Sequence, residues 1–246
     1  MKRRQVLLAA AALLLIWQLA AWLVARPILP GPLEVGQALV AELDEGLAEH
    51  FLVSAWRVLA SVLLAVALAA PAGLILGQSA RVDRLFAPAV YLLYPIPKVV
   101  LVPVILLLFG IGEFPKILII FLILFFQILV LVRDSAADIE LRTVLSVRSL
   151  GAGRRALFRY VYLPASLAAI LTALRQSVGT AVAVLYIAEL FATRHGLGYY
   201  IYLNGNTLFN YPAMYAGVVA MSILGLGLYF AVDLLERRLC PWKFAQ

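Results

Sequence analysis

The sequence predicts an all-α, polytopic membrane protein with about six transmembrane helices. Hydrophobic residues make up 65% of its 246 residues and charged residues only 13%, whereas a soluble domain is about half apolar and a quarter charged. The mean hydropathy is +1.00. The apolar residues also form runs of about 20 residues, the length that a helix needs to cross a bilayer core. The alternating pattern of a membrane β-strand is absent from the sequence.

Six apolar runs are long enough to span the membrane. They lie approximately at 6–25, 52–77, 85–109, 116–132, 165–190 and 212–235. Backbone groups cannot stay unpaired in lipid, and a helix pairs them within one segment. The first run follows Lys2, Arg3 and Arg4, and ends in Trp22 and Arg26. Its length favours an uncleaved anchor helix over a signal peptide, whose apolar part is shorter.

The charge distribution predicts the orientation of the spans. Lys and Arg concentrate in short cytoplasmic loops, and most of the 20 basic residues fall in loops of one side if the N-terminus is cytoplasmic. These residues are Lys2, Arg3, Arg4, Arg81, Arg84, Arg133, Arg142, Arg148, Arg154, Arg155, Arg159, Arg237, Arg238 and Lys243. The acidic segment 26–51 then forms an outer loop with a short amphipathic helix, and both termini are cytoplasmic.

The chain divides into an N-terminal part and a core. Residues 1–50 are predicted to form the anchor helix and the outer loop, and residues 51–246 the core, which includes a long cytoplasmic segment at 133–163. We find no internal repeat, no low-complexity tail and no composition shift that would mark a second, soluble domain. The protein is therefore interpreted as one membrane domain.

The segment 133–163 is basic, amphipathic and punctuated by glycine. Asp134 and Ser135 offer N-cap chemistry for a helix, and Gly151 and Gly153 suit a sharp turn before a second short helix. Pro164 fits a helix start, where its missing N–H costs little. By charge alone the segment is an ordinary positive-inside loop. Its pattern also suits a surface that a soluble partner contacts.

The sequence lacks the motifs of the common catalytic and metal sites. There is no glycine-lysine loop for a nucleotide phosphate, and the two histidines, His50 and His195, lie far apart in the sequence and have no motif around them. The single Cys240 excludes an intrachain disulfide. We therefore expect no catalytic residue, no metal ligand set and no cofactor in this chain. The basic residues follow loops, which favours a bilayer over nucleic acid as the partner.

Polar residues inside the spans are candidates for a solute path, because burying them in lipid is costly. Lys98 follows Pro95 and Pro97, which break the helix and expose carbonyls. On the fifth span, the steps of three and four residues place one polar stripe on a single face, namely Arg175, Gly179, Val182, Tyr186 and Glu189. The alternative is a structural face in which Gly179 permits close helix packing.

Two other intramembrane cations, Arg57 and Lys116, lie near span ends. Long basic side chains there commonly extend to the interface, and this interpretation is favoured for both. The segment 191–211 is rich in aromatic residues, which fits an interfacial aromatic belt. The alternative is that some of them contact a binding protein or the solute.

The spacing from Gly151 to Val161, Leu163 and Pro164 resembles the cytoplasmic loop of ABC importer permeases. The resemblance extends over about residues 50–243. It includes Arg57-Val58-Leu59-Ala60, Tyr94-Pro95-Ile96-Pro97, Leu101-Val102-Pro103, Phe109-Gly110-Ile111-Gly112-Glu113, Leu174-Arg175, Ala188-Glu189, Gly196-Leu197-Gly198-Tyr199, Glu236-Arg237-Arg238 and Pro241-Trp242. This pattern is similar to the subgroup that includes nitrate, taurine, aliphatic sulfonate and pyrimidine-precursor permeases. Leu145-Ser146-Val147 stands where the family often has Glu-Ala-Ala.

The resemblance implies a type I importer fold in a bacterial inner membrane. It implies as partners an ATP-binding cassette ATPase dimer, an extracytoplasmic binding protein and a second permease copy, with ATP and Mg²⁺ bound by the ATPase. The residues expected to contact the ATPase are Arg148, Leu150, Gly151, Ala152, Arg154, Arg155, Phe158 and Pro164. The expected path candidates are Pro95, Pro97, Lys98, Arg175, Gly179, Tyr186 and Glu189.

The main alternative is a stand-alone secondary transporter driven by an ion gradient. Such proteins often carry inverted repeats and acidic coupling sites in the membrane, and here only Glu189 and Asp233 qualify. A membrane-embedded enzyme would need a polar catalytic cluster, which we do not find. Arg57, Lys98 and Arg175 favour an anionic solute such as a sulfonate or nitrate. Glu189 and the tyrosines favour a heterocycle such as a pyrimidine precursor of thiamine.

Overall fold

The computed structural model describes residues 3–191 and 193–243, without the side chains of Arg3, Val6, Leu141 and Arg154. These residues form helices and no strand. The α-helices are α1 (Arg3–Val24), α2 (Pro32–Glu42), α3 (Ala48–Gln78), α4 (Ala80–Leu93), α5 (Val102–Phe109), α6 (Glu113–Ala137), α7 (Leu141–Ser149), α8 (Arg154–Leu157), α9 (Leu163–Leu190), α10 (Leu197–Tyr202) and α11 (Tyr211–Leu239). The all-α prediction is confirmed.

The prediction of about six spans is also confirmed. Five helices of the described chain are long and apolar enough to cross a bilayer, and there are six spans if one bent helix pair is counted as a single span. The run predicted as one span at 85–109 is this pair, and it is broken near the two prolines as expected: α4 and the segment Lys98–Phe109 are bent by 74°. Pro95 and Pro97 explain the break, because neither has a backbone N–H and each clashes with the preceding turn.

The predicted amphipathic helix in segment 26–51 is α2. Pro32 begins the helix after Gly31, a position where a missing N–H has no cost. A π turn at Leu43–Leu47 joins α2 to α3, and Gly46 adopts φ +113° within it. Only glycine takes such an angle without strain, so this residue lets the chain change direction between the two helices.

The chain forms two compact units. The first consists of Met1–Ala55 and Glu189–Leu224, of which the described residues bury Val35, Leu47 and Leu197. Within it, α10 packs tightly on α11. A Cβ atom at Gly217 would lie 2.8 Å from both the Tyr200 and the Ile201 side chains.

The second unit consists of Trp56–Ala188 and Gly225–Gln246, and α6 is its central helix. Ile119, Ile120, Leu124, Ile128 and Val132 of α6 are buried. Helix α3 lies directly against α6. A Cβ at Gly73 would lie 2.8 Å from the Leu129 carbonyl oxygen, and a Cβ at Gly77 would overlap the Arg133 carbonyl oxygen. Small residues four apart permit this backbone approach.

The helix boundaries in the segment 133–163 differ from those predicted. Asp134 and Ser135 lie inside α6 and cap nothing, and α7 starts after Glu140. Pro164 is the second residue of α9, but no break precedes that helix, because α8, a π turn at Phe158–Tyr162 and α9 follow one another directly. The π turn explains the proline: the Leu163 N–H donates to the Phe158 carbonyl, so the hydrogen-bond register has already changed before the residue that lacks a donor.

Candidate functional site

The segment with the predicted coupling residues forms a helix, a glycine turn and a second helix. Helix α7 ends at Ser149, and Gly151 adopts φ +83°. Its N–H donates to the Arg148 carbonyl at 3.0 Å. Gly153 then precedes α8 and accepts a hydrogen bond from the Leu157 N–H at 3.0 Å. The sharp turn predicted from the two glycines is present, and Gly151 supplies its left-handed residue.

This turn presents apolar side chains to the outside of the chain. Leu150 is 86% exposed and Phe158 is 47% exposed. Arg148 and Arg155 are exposed beside them, and Ala152 and Pro164 are half-buried. The side chain of Arg154, also predicted to contact the ATPase, lies outside the described part of the structure. Exposed aliphatic, aromatic and arginine side chains on one short segment are residue types that protein-binding surfaces use, and contact with an ATPase remains a prediction.

Three path candidates come together where the third span breaks. Pro95 and Pro97 follow α4, and the Lys98 ammonium donates to the carbonyls of Leu93 at 2.7 Å and Tyr94 at 2.6 Å. A cavity of about 510 Å³ lies beside the break, between α4 and α6. It is lined by Ala87, Val90, Tyr91, Leu92, Tyr94, Pro95, Val130 and Arg133. The tyrosines Tyr91 and Tyr94 are exposed there.

The stripe on α9 does not converge on one point. Arg175 and Tyr186 are eleven residues apart, which is about 16 Å along a helix axis. Gly179 is exposed, and a Cβ there would meet nothing within 4 Å. The sequence-based suggestion that Gly179 allows close packing is therefore wrong within this chain. Tyr186 is half-buried.

Arg175 belongs to a charge cluster at the C-terminal end of α11. Its Nη1 lies 3.2 Å from Asp233 Oδ1 and 3.1 Å from Glu236 Oε2. Glu236 is 0% exposed, and its Oε1 accepts hydrogen bonds from Lys243 Nζ at 2.6 Å and Thr172 Oγ1 at 3.0 Å. The cluster ties the turn Pro241–Lys243 to α9 and α11.

Glu189 is buried in a different cluster, in the first unit. It is 0% exposed. The Ser54 hydroxyl donates to its carboxylate, at 2.8 and 2.9 Å from the two oxygens, and the Gly198 N–H donates to Oε2 at 2.8 Å. Ser54 in turn accepts from the Leu197 N–H at 2.8 Å. The carboxylate therefore holds the start of α10, and its predicted place in a solute path stays a prediction.

The aromatic segment after α9 is held by side chains of α2 and α3. The Gly196 N–H donates to His50 Nδ1 at 2.9 Å, and the Tyr200 hydroxyl donates to Glu42 Oε2 at 2.6 Å. Burial and the Glu42 carboxylate raise the pKa of Tyr200 far above its usual value. Tyr202 and Phe209 remain exposed, so only part of this segment is free for an interface.

The expectation that Arg57 and Lys116 extend to the membrane surface is wrong. Arg57 is 1% exposed, and its guanidinium pairs with Glu113 through bonds of 2.7 and 2.5 Å. Lys116 is buried, and its Nζ donates to the Gly112 carbonyl at 3.0 Å. Because a paired guanidinium is already satisfied, Arg57 is a poor candidate for solute binding.

A further ion pair was not anticipated from the sequence. Arg133 on α6 donates to both carboxylate oxygens of Asp83 on α4, at 2.5 and 2.9 Å. The two residues are fifty positions apart, so no helical periodicity relates them. The only available signal was the presence of opposite charges at the ends of successive apolar runs.

The family comparison covers most of the chain. Residues 54–240 match the family "Binding-protein-dependent transport system inner membrane component". The chain is 31% identical to the taurine transport system permease protein of Escherichia coli (strain K12), covering 94% of this chain and 87% of that protein. It is 29% identical to a putative aliphatic sulfonates transport permease protein of Bacillus subtilis (strain 168), covering 96% of this chain and 87% of that protein.

A third relative is named for a solute that is not a sulfonate. The formylaminopyrimidine transport permease protein of Halalkalibacterium halodurans is 29% identical, covering 95% of this chain and 94% of that protein. Among solved structures, a chain of the MetNI methionine ABC transporter in an inward facing conformation matches with a TM-score of 0.67 at 20% identity. That match covers 80% of this chain and 97% of the other, and it confirms the type I importer fold.

Proposed function

This chain belongs to the family of binding-protein-dependent transport system inner membrane components and is a permease subunit of an ABC importer, and we propose that its solute is a small sulfonate. The observation that carries the proposal is the resemblance to the taurine and aliphatic sulfonate permeases, which extends over 94% and 96% of this chain. The protein is a multi-pass protein of the inner membrane.

A pyrimidine precursor is the second candidate solute. The exposed Tyr91 and Tyr94 line the cavity beside the broken span, and aromatic faces stack well on planar heterocycles. The similarity to the formylaminopyrimidine permease extends over 95% of this chain. The ion pairs of Arg57 and Arg175 also reduce the number of cations that could bind an anion.

Transport is driven by a partner ATPase dimer that binds the ATP and Mg²⁺. The ATPase contacts the exposed surface around Leu150 and Phe158, and a loaded binding protein docks on the opposite side of the membrane. Two permease copies form the path between them. Closure of the ATPase draws the two coupling segments together and exposes the path alternately to the two sides. In this arrangement the chain itself performs no chemical reaction.

Both termini and the coupling segment face the cytoplasm. The basic loops and the acidic segment 26–51 support this orientation. Single cysteines at Glu45 and Leu150, in a Cys240→Ser background, test it with a membrane-impermeant maleimide on intact cells. We expect labelling at residue 45 in intact cells and at residue 150 only after permeabilisation. The reverse pattern would overturn the orientation.

The solute is tested with the complete importer in proteoliposomes. The permease is produced together with its ATPase and its binding protein, and uptake of radiolabelled taurine, an alkanesulfonate, formylaminopyrimidine and nitrate is compared. We expect ATP-dependent uptake of a sulfonate. Uptake of the pyrimidine alone would favour the second candidate. Uptake that stops with an ionophore but continues without ATP would instead indicate a secondary transporter.

A further inference from the structure

The break in the third span leaves backbone carbonyls without helical partners. The last carbonyls of any helix have no donor four residues ahead, and here Pro95 and Pro97 remove two of the N–H groups that would have continued the helix. The Ile96 N–H reaches the Leu93 carbonyl at 3.3 Å. Within a membrane such carbonyls need a partner from the protein, because lipid offers none.

Lys98 supplies this partner from beyond the break. Its ammonium donates to the Leu93 carbonyl at 2.7 Å and to the Tyr94 carbonyl at 2.6 Å. It also lies 4.4 Å from the centroid of the Phe126 ring on α6. It also lies 5.6 Å from the centroid of the Tyr94 ring, so the three donors of the ammonium have two carbonyls and two aromatic faces within reach. A cation also suits the negative end of the α4 dipole.

We propose that Lys98 is a positioning residue that holds the broken third span in its bent form. Its ammonium joins the end of α4 to Phe126 of α6, and its own chain position starts the turn Lys98–Leu101 that leads into α5. The end of α4, the turn Lys98–Leu101 and helix α6 are thereby held together. The 74° bend is then maintained by one side chain in addition to the two prolines.

This role differs from that of a solute-binding cation. An ammonium that binds an anionic solute in the cavity between α4 and α6 would be among the residues that line it. The residues that line this cavity include Tyr94, Pro95 and Arg133, and Lys98 is not one of them. Its donors are directed instead at the backbone and at the Phe126 ring. The expected effect of Lys98 on uptake rests on the proposed function. The bend itself can be measured without any solute.

The bend is measured by the distance between spin labels on its two sides. Leu85 on α4 and Leu107 on α5 are exposed, and cysteines at both positions in a Cys240→Ser background carry the labels. The labelled chain is diluted with unlabelled chain in the assembled importer, without ATP or solute. Lys98→Met removes the donors and the charge, and Lys98→Arg keeps both. Arg84→Met is the matched control, because Arg84 donates to the carbonyl of Ala80 within the intact helix α4.

We expect Lys98→Met to broaden or shift the distance distribution, and Lys98→Arg and Arg84→Met to retain it. In proteoliposomes, Lys98→Met should lower the maximal uptake rate at least fivefold with a KM within twofold of the unmodified importer, and Lys98→Arg should restore the rate. If Lys98→Met does not accumulate in membranes, Lys98→Gln, which can still donate to a carbonyl but has no charge, takes its place.

Two results would overturn the proposal. One is an unchanged distance distribution in Lys98→Met. The other is a raised KM at an unchanged maximal rate, which would make Lys98 a solute-binding residue. Uptake of a solute other than a sulfonate would contradict the proposed function and leave the distance measurement intact, so the two failures are distinguishable.

Discussion

The hydroxyl of Ser54 donates to the carboxylate of Glu189, with the two oxygens at 2.8 and 2.9 Å, although 135 residues separate them in the sequence. The same carboxylate accepts the Gly198 N–H, and Ser54 accepts the Leu197 N–H. One buried acidic side chain on α9 thus fastens α10 to α3. In a protein of this family, the segment so fastened lies between the last two spans.

Replacing this carboxylate should loosen α10. We expect Glu189→Gln to lower the free energy of unfolding by about 1–3 kcal/mol, because an amide oxygen cannot replace both carboxylate oxygens and a buried donor is left unpaired. The measurement is the melting temperature in detergent together with protease cleavage between residues 196 and 209. Glu49→Gln is the control: Glu49 pairs with His195 at 2.9 Å with both side chains more than half exposed, and such pairs contribute less than about 1 kcal/mol. Equal melting temperatures for the two variants would contradict the assignment.

The contact of α3 with α6 should not tolerate an added methyl group. At Gly77 a Cβ would overlap the Arg133 carbonyl oxygen and lie 2.7 Å from the Ala136 Cβ. We expect Gly77→Ala to destabilise the protein by about 1–3 kcal/mol, the usual cost of overpacking. Gly227→Ala is the control, because a Cβ there meets nothing within 4 Å and alanine is the better helix former by about 1 kcal/mol. Thermal unfolding of both variants checks the prediction, which fails if Gly77→Ala melts no lower than Gly227→Ala.

The buried Glu236 should be essential for the C-terminal end. Glu236→Gln leaves Arg175 and Lys243 without their shared carboxylate, and breaking a buried ion pair typically costs about 3–5 kcal/mol. Cys240, the single cysteine, is fully buried next to this cluster, so a thiol-reactive fluorophore reports its opening. We expect much faster labelling in Glu236→Gln than in Arg237→Met, because the Arg237 side chain is 65% exposed at the edge of the cluster. Slow labelling in both would show that the cluster does not hold this end closed.

The reactivity of Cys240 should depend on pH in a specific direction. Burial, with a smaller contribution from Glu236, raises the pKa of its thiol above the usual value. Only the thiolate reacts with an alkylating agent, so the folded protein should react slowly at pH 8–9 and its rate should rise at a higher pH than that of the denatured chain. Iodoacetamide labelling followed by mass spectrometry gives both profiles. A folded-state midpoint at or below that of the denatured chain would contradict the assignment.

The turn at Gly151 should matter more than the glycine next to it. Gly151 adopts φ +83°, whereas Gly153 does not have a positive φ, and neither would bring a Cβ near another atom. A Cβ at φ +83° is strained by about 1–2 kcal/mol, so Gly151→Val should displace Leu150 while the membrane helices stay folded. We expect ATP hydrolysis without uptake in Gly151→Val and near-normal uptake in Gly153→Ala. Normal uptake by Gly151→Val would contradict a coupling role.

Sequence patterns correctly predicted the features that depend on residues close together in the sequence. The span lengths follow from apolar runs, the turn at Gly151 from a glycine between amphipathic stretches, and the break near Pro95 and Pro97 from the missing N–H groups. The helix start predicted at Asp134 and Ser135 was wrong. In each case a helix continued through a residue that propensity alone would place at a helix end, because packing in a long buried helix outweighs local preference.

Local sequence patterns were sufficient to predict about six membrane spans, the prolines that interrupt the third span and the position of the basic segment 133–163. The partners of the charged side chains follow from the packing of the helices, which pairs the buried Arg57 with Glu113, the partly exposed Arg133 with Asp83, and Arg175 with the buried Glu236. The physical reason is the range of the interactions. Hydrophobic periodicity and proline chemistry act within a few residues, whereas an ion pair in a low-dielectric interior depends on which helices pack together and in which register.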